Sequence, residues 1–160
     1  MGANRHTRAL FGDAALPDHP RMSTSGPLGE TLAGRYLVRR GWRIIARNWR
    51  GGGGELDLVA VRRGVVAFVE VKTRADRAAL DEPVTSAQRM RLVRAASAFL
   101  ACHPELGGAW ARFDLIGVDT GGGRGRIRHV ADAFEAPSGA GGPTSNSRRA
   151  GYAVDRNDRR

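Results

Sequence analysis

Hydrophobic and polar positions along this chain alternate between two periods. From Leu28 to Gly41 the apolar residues Leu28, Leu32, Ala33, Tyr36 and Leu37 recur every three or four positions, which predicts a helix near 28–40. Pro27 suits its first turn and Gly41 ends it. Trp42 to Trp49 reads as a strand. Gly54 to Val61 and Val65 to Thr73 are two further strand-like runs, separated by the turn Arg62-Arg63-Gly64, and together they predict a β-hairpin. Helical spacing returns over 85–102, where Leu92, Val93, Ala96, Phe99 and Leu100 form the buried stripe and Thr85-Ser86-Ala87-Gln88 is a capping box. Arg112 to Val118 and Arg126 to Val130 complete the set as two strands around Gly121-Gly122-Gly123. The order αβββαββ predicts a single α/β domain with a mixed sheet flanked by helices.

The hairpin decides where chemistry would sit. With Arg63 and Gly64 as loop residues, Arg62 pairs with Val65, Asp57 falls opposite Glu70, and Glu55 falls opposite Lys72. Opposed residues and their i, i+2 neighbours share a face. Glu55, Asp57, Glu70 and Lys72 are therefore expected on one side, and Leu56, Leu58, Val69 and Val71 on the other. Like charges opposed on a sheet repel. Lys72 offsets part of that repulsion, and a divalent cation with oxygen ligands would offset the rest. Such a site suits phosphodiester hydrolysis, because a bound metal polarises phosphoryl oxygen and acidifies water. A salt-bridge ladder on an exposed face fits the same residues and would stabilise little.

Lys72 is the only lysine among the 26 basic residues; all the others are arginine. An ammonium is a compact charge whose proton burial can loosen, whereas guanidinium stays protonated. Its place at the end of the run Val65-Val66-Ala67-Phe68-Val69 favours a chemical role over an accident of composition, since exposed lysines seldom end buried strands.

Gly29-Glu30, Gly54-Glu55-Leu56-Asp57-Leu58-Val59-Ala60 and Phe68-Val69-Glu70-Val71-Lys72-Thr73-Arg74 together resemble the YraN-like family of small bacterial proteins. That family is similar to archaeal Holliday-junction resolvases and belongs to the PD-(D/E)XK, restriction-endonuclease-like superfamily. The resemblance spans roughly residues 28–135 and implies the αβββαβ restriction-endonuclease-like fold. It also implies that Asp57, Glu70 and the Val71 carbonyl bind Mg²⁺ or Mn²⁺, with Glu30 and Glu55 as further candidates. Lys72 would position or activate the attacking water. By itself Glu30 has a simpler explanation, a favourable charge at a helix N-terminus. The chain departs from the family pattern in its four glycines, Gly51 to Gly54, read as a loose hairpin loop, and at Gln88, where a basic residue is expected. The capping box gives Gln88 a structural reason to be there.

Composition sets the remaining bounds. Residues 1–26 and the Gly/Ser/Pro- and Arg-containing residues 136–160 bury too little apolar surface to fold and are expected to be disordered tails around a 27–135 nuclease-like domain. The net charge of +10 divides as +1 in the first tail (Arg5, Arg8 and Arg21 against Asp13 and Asp18), +3 in the last and +6 between. A basic surface around an acidic pocket fits a nucleic-acid partner, DNA above all. Arg74, Arg89 and Arg91 are the candidate phosphate contacts, although a solvated arginine face on the second helix is the simpler account. Cys102 excludes an intramolecular disulfide and is expected to be a buried spectator. His6, His19, His103 and His129 are too scattered for a zinc site, and Asp114 is expected to form a structural salt bridge. With no apolar h-region and no membrane-length run, a cytoplasmic protein without a membrane partner is expected. Two functions remain open: a metal-dependent endonuclease, or a nucleic-acid-binding or assembly module that keeps the fold without cutting. A basic protein whose partner is a protein complex is a third. Symmetric cutting of a four-way junction would call for a homodimer.

Overall fold

A computed structural model of the chain describes residues 26–75, 83–121 and 126–136. The two expected tails lie outside these residues, apart from their innermost positions. Helix α1 spans Pro27–Arg39, β1 Arg43–Gly51, β2 Gly54–Arg62, β3 Val65–Arg74, α2 Ser86–Cys102, β4 Trp110–Asp119 and β5 Arg126–Phe134; a single 3₁₀ turn, Pro104–Leu106, precedes β4. The five strands form one sheet in the order β1-β2-β3-β4-β5. β3 and β4 run parallel and the other neighbours antiparallel, so the sheet is mixed as expected. This architecture is compatible with the restriction-endonuclease-like fold.

Each element has a local cause. Pro27 occupies the first turn of α1. The Thr85 hydroxyl accepts from the Gln88 N–H and the Gln88 side chain accepts from the Thr85 N–H, a complete capping box for α2. At the β2–β3 turn both Arg63 and Gly64 have positive φ, 48° and 78°, which matches the twist that a two-residue hairpin needs. The pairs Arg62↔Val65 through Leu58↔Val69 reproduce the expected register.

One apolar cluster lies on each face of the sheet. α1 contributes Ala33 and Leu37 to the cluster that holds Leu58, Ala60, Ala67, Val69, Val71 and Ile116. α2 contributes Leu92, Val93, Ala96 and Phe99 to the cluster that holds Leu56, Val59, Val61, Val66 and Phe68. Phe68 meets Phe99 edge-on with centroids 6.0 Å apart, and Trp49 meets Phe99 likewise at 5.2 Å. β5 continues four residues beyond the expected Val130. Asp132 there takes a left-handed φ of 53°, which bends the strand and brings Phe134 to stack on Phe113 at 4.7 Å. That polar interruption concealed the end of the strand in the sequence.

Candidate functional site

The β2–β3 ladder stops at Leu58↔Val69, and the acidic residues lie just past that point. There the Val71 N–H donates to Asp57 Oδ2 at 2.7 Å, so a side-chain carboxylate receives a main-chain donor of the neighbouring strand. Asp57 is 6% exposed and Lys72 also 6%. The chain's only lysine is thus buried at the end of β3, which an exposed salt-bridge ladder would not require.

The simple two-face arrangement expected for these residues does not hold. Leu58, Val69 and Val71 share the α1 face as predicted, but Leu56 packs on the α2 face with Val59 and Phe68. Residues three apart on one face mean that alternation skips a position between Leu56 and Val59. The regular β2–β3 ladder also ends before the expected Glu55 and Lys72 pair is reached. On the β1 side Glu55 pairs with Arg50, whose Nη2 lies 3.1 Å from Glu55 Oε2. Past Leu58 the strands separate, so the register that holds nearer the turn no longer dictates partners.

Glu70 alternates with Val69 and Val71, and therefore faces α2. Burial pushes its carboxyl above the ordinary glutamate value; the Lys72 and Arg91 charges pull it down, and Glu55 adds to the rise. The neighbouring carboxylate that raises Glu70 is thus Glu55, not Asp57. Arg91 is the one of the three arginine candidates whose charge reaches this carboxylate. Arg89 instead donates from Nε to the Val84 carbonyl at 3.0 Å and lies over the Phe134 ring. Arg74 donates to the Thr73 carbonyl, and its own carbonyl accepts from the Thr120 N–H.

Two glycines of the Gly51–Gly54 run do more than form a loose loop. A Cβ on Gly54 would come within 2.5 Å of the Arg91 carbonyl, and one on Gly52 within 2.5 Å of the Arg94 carbonyl. The missing side chains let α2 rest on the hairpin, which brings Arg91 toward Glu70. α1 descends on the opposite face in the same way, where a Cβ on Gly29 would collide with Thr73 Oγ1. Its next residue, Glu30, is consequently only 8% exposed and accepts a hydrogen bond from Asn48 Nδ2 at 2.8 Å. Sequence reading did not single out Asn48; a polar residue inside the short run Ala46-Arg47-Asn48-Trp49 was the only signal.

All the side chains able to hold a cation here offer oxygen. Glu55 Oε1, Asn48 Oδ1 and Thr73 Oγ1 are buried without a hydrogen-bond partner. Hard oxygen donors and unsatisfied acceptors fit Mg²⁺ or Mn²⁺. Among the described residues no three His, Cys, Asp or Glu side chains converge as a metal cage, so the set offers at most two carboxylates to one cation directly.

Asp114, 1% exposed, is the centre of a separate network. Arg112 Nη2 donates to Oδ2 at 3.0 Å, His129 Nε2 lies 2.8 Å from Oδ2, and the Asp132 N–H donates to Oδ1 at 3.0 Å. Burial alone would raise this carboxyl, but the His129 hydrogen bond and the Arg112 charge outweigh it and hold the carboxyl below its ordinary value. The expected structural salt bridge is present, with His129 as an added partner. Cys102 is exposed at the end of α2, not buried as expected, because the helix stripe has already turned away from the core.

Comparison with known proteins agrees with these motifs. The profile of the uncharacterised protein family UPF0102 matches residues 29–118, from Gly29 beside Glu30 to the end of β4. The chain belongs to this family. A UPF0102 protein of Rhodopseudomonas palustris strain BisA53 is 42% identical over 120 residues, covering 75% of this chain and 90% of that one. One from strain BisB18 is 38% identical over 136 residues, covering 85% and 98%. One from Roseiflexus castenholzii is 42% identical over 103 residues, covering 63% and 83%. UPF0102 is the YraN family that the sequence resembles. Among the described residues no helix is long and apolar enough to cross a membrane.

Proposed function

We propose that this UPF0102 protein is a divalent-metal-dependent endonuclease that hydrolyses phosphodiester bonds in DNA, with branched or single-stranded DNA as the substrate class. The observation that carries this reading is the burial of the only lysine, Lys72, beside Asp57 and Glu70 where the hairpin ladder opens. A buried cation and a buried carboxylate, Lys72 and Asp57, are costly at a strand end unless they are used together.

Asp57, Glu70 and the Val71 carbonyl are the groups that would hold the cation. Bound there, Mg²⁺ or Mn²⁺ supplies Lewis-acid polarisation of a phosphoryl oxygen. Hydrolysis adds water across one P–O bond and leaves a phosphate monoester and a free hydroxyl. Lys72 orients the attacking water or the scissile phosphate. Arg91, an exposed cation whose charge reaches Glu70, meets the DNA backbone.

The test is cleavage of linear, flapped and four-way DNAs with Mg²⁺ or Mn²⁺ by the unmodified protein, Lys72→Ala, Lys72→Arg and Asp57→Asn. Both Lys72 variants should bind DNA nearly as well as the parent, since arginines supply the affinity. Lys72→Arg should still cut about a hundredfold or more slowly, because misplacement by about 1 Å has that effect. Asp57→Asn keeps an acceptor for the Val71 N–H and should fold, yet calorimetry should show that it no longer binds Mn²⁺. Full activity in Lys72→Arg would show that charge alone suffices. An unmodified protein that binds DNA but cuts none of these substrates would favour the non-cleaving module.

A further inference from the structure

Asn48 combines three features that a strand residue seldom shows. Its φ is 48°, in the left-handed region, although it lies inside β1. Its side-chain amide donates to Glu30 Oε2 at 2.8 Å, and its Oδ1 is buried without a partner. The reverse amide orientation would set Oδ1 against a carboxylate oxygen, so the donor assignment follows from chemistry. Left-handed asparagine is tolerated better than most residues there, but the conformation is still disfavoured, and such backbone tends to persist where something else requires it.

The place of Asn48 in the sheet indicates what that is. The pairs Arg47↔Leu58 and Trp49↔Leu56 flank it, so Asn48 stands opposite Asp57. Alternation skips in both strands at this pair. Ala46 and Trp49 pack on the α2 cluster three positions apart, and so do Leu56 and Val59. The skip brings Asn48 to Glu30 on the α1 side and leaves the Asp57 carboxylate at the Val71 N–H between the strands. A single cross-strand pair thus links the carboxylate of α1 to that of β2.

We infer that Asn48 is a positioning residue of the candidate hydrolytic site: its amide fixes the Glu30 carboxylate beside Asp57, and its Oδ1 accepts from a water in the outer shell of the cation. This inference rests on the proposed metal-dependent reading. An outer-shell role agrees with the lack of a three-carboxylate cage among the described residues and with the waters that Mg²⁺ habitually keeps. Groups of this kind orient inner ligands, and their loss commonly lowers metal affinity about 10- to 100-fold.

The test uses the full chain with Asn48→Gly, Asn48→Asp and Glu30→Gln, reading Mn²⁺ affinity by calorimetry, thermal unfolding without metal, and kcat and KM for DNA. Glycine accepts the left-handed backbone but removes the amide, so it separates conformation from chemistry. Asn48→Gly should remain folded, since relief of the left-handed backbone offsets part of the lost hydrogen bond, yet bind Mn²⁺ about tenfold more weakly and lose kcat with KM for DNA unchanged. Asn48→Asp, which sets a carboxylate against Glu30, should be worse than Asn48→Gly. Combining Asn48→Gly with Glu30→Gln should add little to either alone, since both break one link. Parent-like Mn²⁺ affinity and kcat in Asn48→Gly would overturn the inference and leave the nuclease reading intact. Failure of the unmodified protein to bind Mn²⁺ would overturn the nuclease reading, and this inference with it.

Discussion

Glu70 shows how a candidate catalytic group is set against stability. Its carboxyl is raised above 4.5 chiefly by burial, so the folded state disfavours the ionised form. For a carboxylate shifted upward, the destabilisation is fully present above the folded-state pKa. It fades as pH falls through that value and is gone below the unfolded-state value. Glu70→Gln should therefore raise the melting temperature of the metal-free protein at pH 7, and that gain should vanish near pH 4. Melting curves of both proteins between pH 4 and 8 check this, and an equal gain at every pH would contradict it. The same raised carboxyl binds a cation only after losing its proton, so Mn²⁺ affinity of the unmodified protein should climb with pH across the acid range. Asp57 differs because it already accepts the Val71 N–H, so a structural duty accompanies the metal-binding role proposed for it.

At the scale of elements, the contact between α2 and the β1–β2 turn is made by backbone against backbone. Gly54 would place a Cβ 2.5 Å from the Arg91 carbonyl, a rigid atom that can yield only if the helix moves. Gly54→Ala should cost about 1–3 kcal/mol, in the range of overpacked interiors. At roughly 4–8 °C per kcal/mol for a domain of this size, the loss is visible in a melting curve. The α2 shift should also move Arg91 away from Glu70. Gly54 is not among the left-handed glycines, so the loss would come from the clash and not from backbone strain. A Gly54→Ala protein as stable as the parent would show that α2 is not seated on the hairpin in this way.

For the whole molecule, the balance of charge sets how the proposed nucleic-acid partner would be met. The net charge is +10, and all but one of the basic side chains are arginine, which holds phosphate in a bidentate fork. Binding through phosphates releases counterions, and log affinity falls with log salt by roughly 0.9 per phosphate neutralised on a duplex. Affinity for duplex DNA of arbitrary sequence should drop at least about tenfold between roughly 50 and 200 mM salt. Titrations at three salt concentrations and with two unrelated sequences check this. Salt-independent binding, or strong preference for one sequence, would point to another kind of partner.

Patterns confined to a few neighbouring residues were enough for much of this structure. Apolar spacing located both helices, Thr85 and Gln88 marked the start of α2, and Arg63-Gly64 set the hairpin register from Arg62↔Val65 to Leu58↔Val69. The motifs around Asp57, Glu70 and Lys72 led to the correct family. These features are legible because caps, turns and alternation are governed by torsions and side chains close together in the chain. The arrangement past Leu58 was not legible, because distant parts decide it. Gly29 lets α1 settle on Thr73 and bury Glu30, while left-handed Asn48 breaks the alternation that local pattern assumes. Glu55 accordingly pairs with Arg50, Leu56 changes face, and Asp57 reaches the Val71 N–H. The His129 contact to Asp114 has a nearer origin, since β4 and β5 are consecutive antiparallel strands whose register shifts between Phe113 and Leu115. A period of two predicts which residues share a face only while the ladder is regular, and tertiary packing interrupts it at the Asn48 and Asp57 pair.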